Sequence, residues 1–244
     1  MTIRYQLIPY LYTLFHRVHK SGGTIVRSMA HEFSSLAECL ALDEQFLWGS
    51  HLLIAPVIYE NQFTKWVYLP SSERWFDYYS GEEKTILGAT TVSAPLDFIP
   101  LFVRGGSIIP HQQSAMNTQA SRKKPMYLIV TLDDQLKAEG DLFWDDGESI
   151  DTYETEKYNY FTFKFDNARL EIDPLTFNYS IMDIETKLDS IKIYGIREKP
   201  NRILWNKNEL VQEVTWTYDM DKNVLTMKDL GLKFSENHKF NFNY

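Results

Sequence analysis

The chain has 244 residues, of which 44% are hydrophobic and 15% aromatic, and its formal net charge is −8. This length allows one large domain or two to three small ones, and the aromatic content is typical of a packed core and excludes a largely disordered chain. The acidic balance argues against nucleic acid as the main partner, because phosphate binding needs a basic surface.

The first 50 residues predict a helix, a strand and a second helix. Apolar residues recur every three to four positions over 3–20, Thr24–Met29 is short and β-branched, and Ser35–Trp48 again looks helical. One strand and two helices cannot cover both faces of a parallel sheet. We therefore interpret this segment as the tail of a larger α/β domain, and we expect the apolar helix residues Leu7, Leu11 and Leu14 to find partners outside the chain.

The remainder predicts short strands separated by turn residues, a pattern typical of β-sandwiches. Apolar and aromatic residues mark the strand candidates. These candidates are His51–Ile58, Trp66–Pro70, Arg74–Tyr78, Thr90–Ser93, Ile99–Val103, Met126–Leu132, Leu142–Trp144, Tyr158–Phe165, Arg169–Ile172, Asp189–Tyr194, Arg202–Trp205 and Val224–Met227. The aromatic residues around the acidic stretch at 145–148 predict a hairpin with a tight Asp-Gly turn.

The acidic stretch itself has three interpretations. Asp145, Asp146, Glu148 and Asp151 could hold calcium, which prefers carboxylate oxygens, but their spacing does not match an EF-hand loop. Adjacent aspartates on a strand point to opposite faces, which is a poor arrangement for a catalytic pair. A structural turn is the favoured interpretation, and no metal site is predicted.

Histidines give weaker signals. The pair His31 and Glu32 could perform acid–base chemistry, but a structural loop pair is favoured. His16 and His19 lie three residues apart on the first predicted helix, and without a third ligand at useful spacing they indicate a solvated helix face. Arg104 and the two following glycines predict a tight bend between strands rather than a phosphate site.

No nucleophile elbow, Walker loop, dinucleotide fingerprint or Cys-x-x-Cys pair occurs in the sequence, so no cofactor is predicted. The tripeptide Asn178-Tyr179-Ser180 is a glycosylation sequon, which makes Asn178 a candidate glycosylation site. From the residues alone, the chain is an α/β tail followed by β-sandwiches without an evident active site.

Several stretches together resemble the C-terminal third of glycoside hydrolase family 31, whose animal α-glucosidases include the lysosomal, maltase-glucoamylase and sucrase-isomaltase types. They occur in the family's order and are 3–15, 31–33, 45–49, 53–57, 68–70, 75–81 (WFDYYSG), 94–97, 103–106, 117–122 (NTQASR) and 143–149 (FWDDGES). Ser28 and Ser107 depart from the family's usual residues, and the final 80 residues match loosely.

The resemblance implies a mainly β fold in which C-terminal β-sandwich domains follow the last helix–strand–helix elements of a (β/α)₈ barrel. Residues 1–49 would close the catalytic barrel, 50–125 would form the proximal sandwich and 126–244 the distal one. Arg27 then lies toward the C-terminal end of the eighth barrel strand, where active-site residues of such barrels gather. It is a candidate substrate-binding residue, although a structural role is favoured.

The resemblance also implies a function. Family members cleave α-glucosidic bonds with retention, using two aspartates about 5–5.5 Å apart that lie upstream of the segments matched here. We expect the chain to be the C-terminal region of a retaining α-glucosidase, lacking the catalytic carboxylates and partnered by the missing barrel and, in the full-length enzyme, an α-glucoside. Such an enzyme would lie in the secretory pathway, the lysosome or at the cell surface. The alternative is a stand-alone β-sandwich module that binds carbohydrate or another partner without catalysis.

Overall fold

The computed structural model describes residues 2–182, 186–207 and 210–244. Helices are short apart from one: α1 spans Thr2–Gln6, α2 spans Ile8–Ser21, α3 spans Met29–Glu32 and α4 spans Thr118–Ser121. A single 3₁₀ turn covers Ala37–Cys39 within the described ranges. None of the helices in this part of the chain is long and apolar enough to cross a membrane.

Strands dominate the structure, as predicted. In chain order, β1 to β18 are Val26–Ser28, Phe46–Trp48, Leu52–Ile54, Thr64–Leu69, Trp75–Asp77, Gly88–Ser93, Leu101–Arg104, Ser107–Gln112, Met126–Thr131, Ala138–Trp144, Asn159–Asp166, Arg169–Phe177, Leu188–Tyr194, Arg202–Lys207, Leu210–Glu213, Trp216–Asp219, Val224–Met227 and His238–Asn243.

The strands of the described residues form three sheets. A five-stranded sheet has the order β1-β2-β3-β7-β5, a two-stranded sheet pairs β4 with β6, and an eleven-stranded sheet has the order β15-β14-β18-β12-β11-β10-β8-β9-β13-β17-β16. The glycine bend after Arg104 leads the chain directly from β7 in the small sheet to β8 in the large one. The predicted division into domains at 49/50 and 125/126 stays a prediction.

Three apolar clusters hold these layers together. The largest lies inside the curled eleven-stranded sheet and joins residues from strands across it, such as Phe163 on β11, Ile191 on β13 and Phe240 on β18. A second joins the five-stranded and two-stranded sheets. In the third, Leu7 and Leu14 are 2% and 4% exposed and pack against residues of both major sheets. The expectation that helix residues need partners outside the chain is therefore wrong for Leu7 and Leu14, whereas Leu11 is only half-buried.

The predicted helix over Ser35–Trp48 is also wrong. Its C-terminal part is strand β2, which pairs antiparallel with β1 on one side and with β3 on the other. Two ladders of backbone hydrogen bonds outweigh the small helix propensity of this stretch. The side chain of Leu47 is completely buried by this pairing.

The predicted aromatic hairpin is confirmed, but its tight turn is not. Strands β10 and β11 pair antiparallel with Phe143 opposite Tyr160. Residues 145–158 connect the two strands, so the Asp146-Gly147 dipeptide begins a long loop rather than forming a two-residue hairpin turn.

Candidate functional site: the Arg27 cluster and the helix junction

Arg27 lies in β1 immediately before α3, and local capping determines that position. The Ser28 side chain accepts a hydrogen bond from the His31 backbone N–H at 3.1 Å, and this cap starts helix α3 at Met29, two residues after Arg27. The short helix brings Glu32 back toward the strand. Arg27 Nη1 donates to Glu32 Oε2 at 2.7 Å, and Arg27 Nε donates to the Thr24 carbonyl at 3.3 Å.

Arg104, at the end of β7, completes this group of charges. Its Nη1 donates to Glu32 Oε1 at 2.9 Å and its Nη2 donates to Glu73 Oε1 at 2.6 Å. Burial disfavours the charged guanidinium, but the hydrogen bond and charge of Glu73 outweigh that effect and raise the pKa of Arg104. We call Arg27, Glu32, Arg104 and Glu73 the Arg27 cluster.

The Arg27 cluster is suited to structural support. Two arginines alternate with two glutamates, so the cluster carries no net charge, and the Glu32 side chain is only 13% exposed. Because both Glu32 oxygens already accept charged hydrogen bonds, Glu32 is poorly placed to exchange a proton with a substrate. His31, the neighbouring residue in the short helix, is exposed. The geometry therefore favours the structural interpretation of His31 and Glu32.

His51, which the sequence did not single out, lies within electrostatic range of the Arg27 cluster. Its Nε2 is 3.1 Å from the Ser50 hydroxyl, and its buried Nδ1 has no hydrogen-bond partner among the described residues. Burial, followed by repulsion from Arg17, Arg104 and Arg27, lowers the pKa of His51 to about 3. The ring is therefore neutral at physiological pH.

A second group of polar contacts attaches helix α2 to strand β10, and we call it the helix junction. Thr13 Oγ1 donates to the Pro9 carbonyl at 2.8 Å and accepts from the Phe143 backbone N–H at 3.0 Å. Arg17 donates to both carboxylate oxygens of Asp141, with Nε at 2.7 Å from Oδ2. Tyr160 on β11 donates to the same carboxylate. Bidentate charge-assisted contacts of this kind fix both distance and orientation.

Aromatic packing reinforces the helix junction. The His16 ring stacks on Phe143 with centroids 4.0 Å apart and planes 8° from parallel. Burial lowers the pKa of His16, which favours the neutral form of the stacked ring. The predicted solvated face is therefore wrong for His16, which is buried, whereas His19 is exposed and contacts Glu154 at 2.7 Å.

The acidic stretch after β10 has one buried carboxylate, Asp145, and a more accessible one, Asp146. Asp145 is buried and accepts hydrogen bonds from Tyr12, Thr152 and the Gly147 N–H. Asp146 instead accepts from the Ser149 side chain and backbone, which lowers its pKa. These oxygens are engaged by hydroxyl and N–H groups, an arrangement typical of a structural turn.

The candidate glycosylation site is accessible. Asn178 is exposed in the segment after β12, and its Nδ2 donates to the Glu156 carbonyl at 2.9 Å. Ser180 of the sequon is also exposed. Glycosylation of Asn178 stays a prediction.

Sequence reasoning missed Glu73, the partner role of Arg104 and the whole helix junction. The Arg104–Glu32 pair joins residues 72 positions apart, and no local pattern reveals such a pair. The junction did carry a signal, because Tyr12, His16 and the adjacent polar residues lie on one side of α2. Such a pattern indicates a solvated face as readily as a polar face buried against a sheet.

Comparison with known proteins identifies the family. Residues 22–109 match the Glycosyl hydrolase family 31 C-terminal domain. Intestinal sucrase-isomaltase of Homo sapiens is 40% identical over 230 residues, which cover 94% of this chain. Lysosomal alpha-glucosidase of Rattus norvegicus is 33% identical over 246 residues, which cover 93% of this chain. The chain spans only 12% and 25% of the lengths of these relatives.

Solved structures of glycosidases agree with this family assignment. The glucosidase II alpha subunit superposes with a TM-score of 0.88 at 25% identity and covers 99% of this chain, which spans 28% of that subunit. The GH31 dextranase of Flavobacterium johnsoniae superposes with a TM-score of 0.76 at 26% identity, covering 98% of this chain and 32% of the dextranase. The chain therefore belongs to glycoside hydrolase family 31 and corresponds to the C-terminal region of its α-glucosidases.

Proposed function

We propose that this chain is the C-terminal region of a retaining α-glucosidase that hydrolyses α-glucosidic bonds of malto- and isomalto-oligosaccharides. In that enzyme it would support the catalytic barrel and supply neither catalytic carboxylate. Residues 1–49 would end the barrel, and 50–125 and 126–244 would form the proximal and distal sandwiches. The relatives named α-glucosidase and sucrase-isomaltase support the substrate class.

The observation that carries the proposal is the free edge of strand β1. This strand ends the five-stranded sheet and pairs only with β2 among the described residues. The side chain of Val26 in this strand is 56% exposed, and that of Phe15 on helix α2 is 53% exposed. An unpaired strand edge flanked by exposed apolar side chains is where further barrel elements would attach.

Within this proposal Arg27 has two candidate roles, contact with a sugar or support of the barrel end. Its hydrogen bond to Glu32 and the link from Glu32 to Arg104 support the structural role. Asn178 would carry a glycan if the full-length enzyme passes through the secretory pathway.

The catalytic part of the proposal is tested by activity. The purified chain, assayed with a nitrophenyl α-glucoside beside a complete family 31 α-glucosidase as positive control, should show no turnover, because positioned acid and nucleophile supply most of the rate enhancement. Turnover that follows the pure chain through chromatography would contradict the proposal.

The alternative of a stand-alone sandwich module is separated by the coding sequence upstream of Met1. The proposal expects a barrel with a Trp-x-Asp-Met-Asn-like nucleophile segment in the same reading frame. A stop codon and promoter immediately upstream would instead establish the stand-alone module. If the upstream barrel is found, as the proposal expects, joining it to this chain should restore turnover. The barrel without this chain should show none.

A further inference from the structure

A cavity of about 390 Å³ lies where the N-terminal helices, the segment around α4 and the loop after β10 meet. Two of its walls come from the sequence motifs at 117–122 and 143–149, to which the proposed function gives no role. We call it the motif cavity and define it by six lining residues, Tyr5, Tyr12, Gln119, Arg122, Trp144 and Glu148.

The motif cavity has a fixed frame. Asn117 caps helix α4, since its Oδ1 accepts from the Ala120 N–H at 2.8 Å. Arg122 directly follows α4, and its guanidinium carbon lies 4.1 Å from the centroid of the Trp144 ring. Arg122 also donates to the Asp145 carbonyl. Arg122 is thus engaged by the protein, and it holds two motifs together as one wall.

Other polar groups in the same walls are unused. The Tyr5 hydroxyl, the Gln119 amide and the Glu148 carboxylate line the cavity without a hydrogen-bond partner among the described residues. Trp144 is only 3% exposed, yet its Nε1 also lacks a partner there. Of these four groups only Trp144 Nε1 is a buried donor, and buried donors are usually paired. Polar groups that converge on one cavity are typical of a ligand site.

The chemistry of these groups matches a pyranose ring. A sugar ring has apolar C–H faces that pack on aromatic rings such as Tyr5 and Tyr12, and it has hydroxyls that need both donors and acceptors. The two oxygens of Glu148 can accept from adjacent hydroxyls, and the Gln119 amide offers both a donor and an acceptor. The volume lies at the lower end of the range, about 300–1,000 Å³, found for small-molecule pockets.

We propose that the motif cavity binds one or two glucosyl units of a saccharide, as a non-catalytic sugar site within this chain. The glucosyl identity rests on the proposed function, whereas the pyranose chemistry rests on the cavity itself. Glu148 and Gln119 bind the hydroxyls, and Tyr5 packs on the ring.

Isothermal titration of the intact chain with maltose tests this proposal. Binding should be saturable, and sorbitol, which has the hydroxyls but no ring, should bind far more weakly. Glu148→Gln keeps the size of the side chain but removes its charge and one acceptor, and it should weaken maltose binding about tenfold. Glu60→Gln is the matched control at an exposed glutamate outside the cavity, and it should leave binding unchanged.

Gln119→Ala serves as a second variant, since both positions are exposed and circular dichroism can verify their folding. The proposal is overturned if maltose shows no saturable binding, if sorbitol binds equally well, or if both cavity variants bind like the unmodified chain. Titration requires no turnover, so an inactive chain can still bind maltose. Conversely, an active full-length enzyme whose cavity binds no sugar would overturn this inference and leave the proposed function standing.

Discussion

Replacing Asp141 by Asn measures how strongly the helix junction holds α2 to the large sheet. The Asp141 side chain is 9% exposed and accepts hydrogen bonds from Arg17 and Tyr160. The asparagine amide lacks the carboxylate's negative charge, and it would present an N–H₂ group to one of these two donors. Charged hydrogen bonds contribute about 1.5–3 kcal/mol each when buried. Because the Arg17 side chain is 40% exposed and can be rehydrated, we expect a total loss of about 2 kcal/mol.

Thermal and urea unfolding of the intact chain provide the assay. A loss of about 2 kcal/mol should lower the Tm by roughly 4–8 °C for a chain of this size. Asp134→Asn is the matched control, because Asp134 meets Arg197 at 3.8 Å with side chains 75% and 58% exposed, and such surface pairs contribute about 0–1 kcal/mol.

A double-mutant cycle identifies the cause of the loss. Arg17→Met should cost less stability in the Asp141→Asn background than in the unmodified chain, because the shared contact is already gone. Equal losses for Asp141→Asn and Asp134→Asn, or strictly additive effects of the two junction substitutions, would refute the reasoning.

Three further predictions concern packing, pH and calcium. Gly140→Ala should destabilise the chain by about 3 kcal/mol in urea unfolding, because the new Cβ would lie 2.1 Å from the Ile108 carbonyl oxygen; a loss no larger than that of Glu139→Ala would contradict this. In the folded chain the pKa of His51 is about 3, against about 6.5 in the unfolded chain. The contribution of its neutral ring to the free energy of unfolding is therefore complete above about pH 6.5 and is lost as the pH falls toward 3. His51→Gln should therefore lose less stability than the unmodified chain between pH 7 and pH 5, and identical losses would show that another group is responsible. Calcium should leave the Tm unchanged, because Asp145 already accepts hydrogen bonds from Tyr12 and Thr152; a calcium-dependent rise abolished by Asp146→Asn would overturn this.

The strands were the most predictable part of this fold. Alternating buried aromatic residues in β11 and the aromatic end of β10 indicated paired strands, and the register of Phe143 opposite Tyr160 confirms the pairing. Such patterns are readable because side chains alternate between the two faces of a strand. Strand β2 was missed because its three residues form a strand only through pairing with β1 and β3.

The candidate sites were less predictable, because their contacts join distant positions. The family resemblance, which places Arg27 toward the end of a barrel strand, made it a candidate, but its link through Glu32 to Arg104 depends on how β1 and β7 lie within one sheet. Helix α2 shows the limit of amphipathic patterns. Its polar side is buried against β10, and only the tertiary structure distinguishes such a face from one that contacts water.

The helix junction has a consequence for the order of folding during synthesis. Tyr12 and Thr13 contact residues that lie 133 and 130 positions later in the chain. At roughly 5–20 residues per second, the ribosome needs on the order of 10 s to make the residues that separate these partners. Helix α2 must therefore wait for the hairpin of β10 and β11 before its polar face is satisfied. For that interval the polar side of α2 lacks these partners, which makes it a segment that a chaperone could protect during synthesis.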